Sequence, residues 1–257
     1  MARQTGSIKL EGTIGNIIFY KRNGKYFARQ KGGVSKKRFR TAPEFEGSRQ
    51  AGKEFGRASA ISGVVRRSLF PVLNGIEKLG HSKLTGIFQQ VIKSDPVSER
   101  GSRKFYLGDH SLIEGLELGH DSVTGILEGL PHVTYLEESN QVSFDFTQLG
   151  NISLSQIPSG ASHFEVNVFV IKIDEVEGVD GSFSIYPYPI ASLDQELNSM
   201  ETVEIGDTHL GEANKETGSI IGVVGVRFYQ FVNGGYYRLS EGGGVCLVRV
   251  YGPAWVE

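Results

Sequence analysis

The chain has 257 residues, of which 39% are hydrophobic and 22% charged, with 34 glycines and one cysteine. That length and composition suit one or two folded domains and exclude a disordered or collagen-like chain. Formal net charge is only −2, but it hides a split: residues 1–67 hold 16 Lys/Arg against 4 Glu, and residues 68–257 hold 11 against 25 Asp/Glu. Such asymmetry points to a basic arm that contacts something negative, either nucleic acid or the acidic body of a neighbouring copy.

The single cysteine, Cys246, excludes an intrachain disulfide framework and a cysteine metal cluster. In the apolar run Val245–Val250 it reads as a small buried hydrophobe. No apolar segment follows Met1–Ser7, so no secretory signal is expected. No run approaches ~18 apolar residues, so no membrane span is expected either. The cytoplasm is the default location, with release or incorporation into a larger assembly left open.

Residues 1–42 read as a basic extended arm. Asn23-Gly24 lies between two aromatic-rich segments, Ile17–Tyr20 and Tyr26–Phe27. That pattern predicts a β-hairpin over about 17–29, with Lys21, Arg22 and Lys25 crowding its turn. The stretch Arg29–Arg40 has six basic residues and no acid. Its Gly32-Gly33 predicts an extended strap rather than a helix. Two sets of residues follow as interaction candidates. Lys21, Arg22, Lys25, Arg29, Lys31, Lys36, Lys37, Arg38 and Arg40 are suited to carboxylates or phosphates. Ile17, Phe19, Tyr20, Tyr26 and Phe27 are suited as apolar anchors or base-stacking rings.

The segment Thr5–Val34 carries Gly6-Ser7-Ile8-Lys9-Leu10-Glu11-Gly12-Thr13-Ile14-Gly15, then Phe19-Tyr20-Lys21 and Lys31-Gly32-Gly33-Val34. It resembles the opening of a family of uncharacterised proteins found widely in Bacteroidota. Pro43, Phe45, Arg49 and Glu54-Phe55-Gly56 match the segment that follows in that family, whereas Glu46-Gly47-Ser48 departs from it. The resemblance covers about the first 60 residues and implies relatedness; it brings no activity with it.

Residues 43–96 read as helical. Pro43 with Glu44 is a helix start, and Phe45, Ala51, Phe55, Ala58, Ile61 and Val65 form one broad face. Gly47, Gly52, Gly56 and Gly63 weaken this helix while permitting close packing. Pro71 predicts a break or kink, with a second helical segment over 72–79 and a third over 83–93, stopped by Asp95-Pro96. Residues 97–108 read as a surface connection. A faint echo relates Gly80–Phe88 to Gly119–Leu127, five of nine positions being identical.

Residues 97–257 read as an acidic β-rich body. Strands are expected at 133–136, 142–146, 151–154, 162–176, 183–188, 193–203, 219–232, 236–239 and 245–251. The 162–176 strand is apolar on both faces, so it belongs inside a layered body. The last three strands, joined by Asn233-Gly234-Gly235 and Gly242-Gly243-Gly244, suggest an antiparallel meander. The expected fold is mainly β with a helical insertion: an antiparallel β-sandwich of jelly-roll or immunoglobulin-like character, preceded by the arm and helices.

No chemistry-bearing motif stands out. Gly-x-Ser-x-Gly, a phosphate loop and a dinucleotide fingerprint are all missing. His81, His110, His120, His132, His163 and His209 lack partners at metal-ligand spacing. The acids Asp174, Glu175, Glu177 and Asp180 lack calcium-loop spacing and read as a solvated loop or the surface that receives the arm. Tyr229, Tyr236, Tyr237 and Trp255 are candidates for a carbohydrate or peptide groove, with cross-strand packing as the simpler reading. The leading expectation is a non-enzymatic structural or assembly protein, without metal or cofactor, that self-associates through arm-to-body contacts. The alternative is a nucleic-acid-associated protein that uses the arm for nonspecific phosphate contacts.

Overall fold

A computed structural model describes residues 2–73, 80–136, 139–149, 152–175, 178–195, 200–204 and 218–253. The chain divides into two compact units, residues 1–49 and 50–257.

The first unit is a four-stranded antiparallel sheet of β1 (Ala2–Arg3), β2 (Gly12–Ile14), β3 (Ile17–Arg22) and β4 (Lys25–Gln30), in the order β1-β4-β3-β2. Asn23 and Gly24 close the β3–β4 hairpin with φ of 50° and 72°, the paired positive values that a two-residue turn needs and that Asn-Gly tolerates. The expected strap is partly helical instead: α1 spans Lys36–Thr41. Ser35 caps it by accepting from the Arg38 N–H, and Lys and Arg are good helix formers once a cap has fixed the first turn. A single 3-10 turn over Pro43–Phe45 then leads into α2 (Glu46–Leu73).

α2 runs through Pro71 without ending there, so the expected break is absent at that position. What was expected over 74–79 lies outside the described residues. α3 (His81–Ser94) follows and stops at Asp95. The sequence echo is local in form: its first copy opens this 14-residue helix, whereas its second opens the four-residue α4 (Val123–Ile126) capped by Ser122.

The body is built on a seven-stranded antiparallel sheet. Its long strands are β8 (His163–Asp174), β12 (Gly218–Val232) and β14 (Gly244–Tyr251). The short β5 (Leu116–Glu117) pairs with β14, while β9 (Asp180–Pro187) and β10 (Ala191–Ser192) pair with β8. β13 (Gly235–Arg238) pairs with the end of β12. The last three strands are therefore not a meander. β13 and β14 both pair with β12, one after the other along its length. The returning chain is interrupted at Gly242 and Gly243, whose φ values of 81° and 90° allow the offset.

Both faces of this sheet are buried. On one face, odd-numbered residues such as Phe169, Ile171 and Val223 pack with Ile61, Val65 and Leu69 of α2 and Phe88 and Ile92 of α3. On the other, Phe164, Val166, Val168 and Val226 pack with Val123 and Ile126 of α4 and with Val133, Val142 and Phe144. Val133 lies on β6 (His132–Leu136), and Val142 and Phe144 on β7 (Gln141–Asp145); together with β11 (Met200–Glu204) these strands form a separate three-stranded sheet. The body is thus mostly antiparallel β, with α2 and α3 on one face of its main sheet and α4 with the three-stranded sheet on the other. Of the strand expected over 151–154, Asn151 lies outside the described residues, Ile152 and Ser153 lie in coil, and Leu154 begins a 3-10 turn.

Close approach of α2 to the sheet comes from strand glycines rather than helix glycines. A Cβ at Gly181 would lie 2.5 Å from Val64 Cγ1, and one at Gly225 would lie 2.8 Å from Val72 Cγ1. Gly52 and Gly56 of α2 meet nothing within 4 Å.

Candidate interaction surfaces

Strand pairing in the first unit separates its side chains into two unlike faces. Directly opposed residues share a face. Ile14 opposes Ile17, Phe19 opposes Ala28, and Lys21 opposes Tyr26, so one face is apolar, with Lys21 at its end reaching to 5.3 Å from the Tyr26 ring centre. A groove of about 480 Å³ at this sheet is lined by Ala2, Asn16, Ile17, Ala28, Arg29 and Gln30. The other face pairs Arg3 and Tyr20 with Phe27, Ile18 with Arg29, and Arg22 with Lys25. There the Tyr20 and Phe27 rings stack at 5.8 Å, and the Arg29 guanidinium sits 5.7 Å from the Tyr20 ring centre. The anchors singled out in the sequence therefore divide: Ile17, Phe19 and Tyr26 share the apolar face, and Tyr20 and Phe27 the basic one.

No described residue of this unit is buried. Ile8, Leu10, Ile14, Ile17, Val34 and Phe39 are all exposed. Four strands have formed without an interior of their own, although small sheets ordinarily need a covered hydrophobic face for stability. Among the helical cations, Arg38 is engaged by Glu44 at 2.8 Å, while Lys36, Lys37 and Arg40 are exposed, as is Lys31 beyond β4.

In the body, the acidic run expected in solvent divides: Asp180 is exposed, Glu177 lies outside the described residues, and the other two acids are not solvated. Asp174 and Glu175 are buried. Glu175 Oε2 accepts from the Phe105 N–H (2.8 Å) and the Tyr106 N–H (3.1 Å), and its Oε1 lies 3.3 Å from Arg57 Nε. Burial pushes the Glu175 carboxyl up, against those hydrogen bonds and the neighbouring Arg57 and Lys104 charges. Two further carboxylates hold the same loop. Glu54 accepts from the Gly101 N–H at 2.8 Å, and Asp95 accepts from Val97, Ser98 and Lys104. Residues 97–108 are a surface connection only in part: Val97, Glu99, Arg100 and Ser102 are exposed, whereas Phe105 and Leu107 are buried. A depression of about 470 Å³ beside this clasp is lined by Lys53, Arg57, Lys104 and Glu175; Arg57 and Lys104 are already committed to Glu175. The exposed carboxylates of the described body are Glu99, Asp109, Glu128, Asp180, Asp194 and Glu241.

The body aromatics do not form one groove. Tyr229 is half-buried and donates to Glu165 Oε2 at 2.7 Å. Tyr236 shares that sheet face with Phe231, 4.9 Å away, and with His163, 5.1 Å away. Tyr237 opposes Gln230 and so lies on the other face. Trp255 and His209 lie outside the described residues. His110 is held by ring packing on Phe105 and a contact between Nε2 and the Phe105 carbonyl at 2.9 Å, and burial lowers its pKa. Among the described residues, no three His, Cys, Asp or Glu side chains gather in a manner that would hold a metal ion. Cys246 is buried, and burial pushes its thiol up to about 12, as suits a core residue rather than a thiolate. No described helix is long and apolar enough to cross a membrane.

No protein-family model matches this sequence, and no curated protein is similar to it.

Proposed function

We propose that the protein is a non-enzymatic assembly component whose N-terminal unit docks on the acidic body of a neighbouring copy. One observation carries this reading: residues 2–49 have no buried side chain, and the four-stranded sheet they contain turns an apolar face to solvent. Such a sheet gains its missing interior by burying that face against another surface. Its cations are complementary to the exposed body carboxylates, which favours correct docking and speeds encounter. Arm-to-body contacts of this heterologous kind need not close into a ring, so extended assemblies are compatible with them. The packing of the three-stranded sheet against the main one supports describing the body as a β-sandwich with an added helical layer. The N-terminal motifs support kinship with the Bacteroidota family they resemble.

A second reading has its own observation. The face opposite the apolar one combines Arg3, Arg22, Lys25 and Arg29 with the stacked Tyr20 and Phe27 rings, which is the chemistry of a nonspecific single-strand platform. The test is light scattering after size exclusion on nuclease-treated protein, with and without residues 1–45. Oligomers that require the arm support assembly. Monomers in both cases, with nucleic acid co-purifying before treatment and released by salt, favour the second reading.

A further inference from the structure

The helix-facing side of the main sheet carries a cluster of hydrogen-bond donors that the arm does not explain. Val72, near the end of α2, sits over Gly225. Beside it, Asn167 and Glu165 of β8 oppose Gly225 and Arg227 of β12, and Tyr229 opposes Arg238 of β13. This small area holds two guanidiniums and one carboxylate. That carboxylate is already shared: Glu165 Oε2 accepts from the Tyr229 hydroxyl at 2.7 Å and lies 3.8 Å from Arg227 Nη1. Arg238 Nη2 lies 3.4 Å from the Val72 carbonyl.

Three nitrogens are left over. Arg227 Nε and Nη2 and Asn167 Nδ2 are buried and find no hydrogen-bond acceptor among the described residues. The Asn167 residue as a whole is only 2% exposed. Buried donors without acceptors carry an unmet desolvation penalty and are uncommon unless something else satisfies them. All three are donors, and Nε with a terminal nitrogen forms the planar fork that matches a carboxylate or phosphate. Next along the same face, His163, Phe231 and Tyr236 form an aromatic wall.

We propose that Arg227 and Asn167 bind the oxyanion of a small ligand, a carboxylate or a phosphate, whose remainder lies against the His163–Phe231–Tyr236 wall. The site is independent of the arm and of the assembly reading.

Isothermal titration calorimetry of the full chain, with inorganic phosphate and separately with succinate in low-salt chloride buffer, tests it. One saturable site per chain is expected for at least one probe, and which probe saturates assigns phosphate or carboxylate. Arg227→Gln weakens that binding about tenfold or more, the loss of a charge-assisted pair, and Lys31→Gln in the arm leaves it unchanged. Should Arg227→Gln unfold, the Arg227 Nε–H resonance in the ¹⁵N spectrum of the wild type reads the same contact and shifts on titration. No saturable binding of either probe, binding indifferent to Arg227→Gln, or an unmoved Nε–H resonance overturns the proposal.

Discussion

Replacing Ile14 and Ile17 together with threonine separates the proposed docking face from the stability of the chain. Both sit on the apolar face of the N-terminal sheet, and they are 63% and 45% exposed. Threonine keeps the β-branched shape that strands favour, so the hairpin is retained and the melting temperature of the unassembled chain barely moves. Full burial of an isoleucine side chain contributes about 1.5–3 kcal/mol. The exposed fractions leave about 1–2 kcal/mol to be gained at Ile14 and about 0.7–1.4 kcal/mol at Ile17 on docking. Together these amount to roughly 2–3 kcal/mol, a 30- to 150-fold weakening of association. Sedimentation velocity over a dilution series measures it, with circular dichroism melts confirming the fold. A double variant that assembles with wild-type affinity refutes the idea that this face is the one buried.

Three further outcomes follow from the body. Gly225→Ala forces a methyl to 2.8 Å from Val72 Cγ1 and costs about 1–3 kcal/mol through overpacking; Gly56→Ala, with nothing within 4 Å, instead stabilises by about 0.5–1 kcal/mol through helix propensity, and urea denaturation resolves the opposite signs. Glu175→Ala leaves two backbone N–H groups and Arg57 without their carboxylate, at a cost of about 3–5 kcal/mol, whereas Glu175→Gln retains an acceptor oxygen and costs less by the same measurement. Burial holds His110 below its usual 6.5, so the unfolded chain takes up its proton first: stability is full above about pH 6.5 and falls as pH drops through the lowered value. Asp95, pushed up by burial but brought lower overall by the N–H groups of Lys104, Val97 and Ser98, adds a second loss below its usual 3.8. Thermal melts from pH 8 to 3 show both steps, and His110→Gln removes only the upper one.

Much was legible from local chemistry. The β3–β4 hairpin follows from Asn23-Gly24 between aromatic strands, because few residues accept positive φ and Asn and Gly both do. The long strand β8 and its burial on both faces follow from the consecutive apolar residues Val168–Ile171 at its centre, and the core position of Cys246 from its apolar neighbours. α3 follows from helical spacing up to Asp95-Pro96. Other features were not local. Gly32-Gly33 predicts an extended strap over Arg29–Arg40, whereas Ser35 caps a helix over Lys36–Thr41. Pro71 predicts a break or kink, and the helix is not broken there: it continues to Leu73, held by the sheet beneath it.

The sequence by itself determined which segments are strands and helices where periodicity and turn residues agree, and that positive charge gathers at one end. Only the tertiary structure decided what those segments face. Strand register sorted the arm's anchors into an apolar face and a basic face, because opposed residues share a side. Folding buried Glu175, which composition alone placed in solvent, because backbone N–H groups 70 residues away in sequence supply the hydrogen bonds a buried carboxylate requires. The same pairing of distant strands set Arg227 beside Asn167, a juxtaposition that no spacing along the chain encodes.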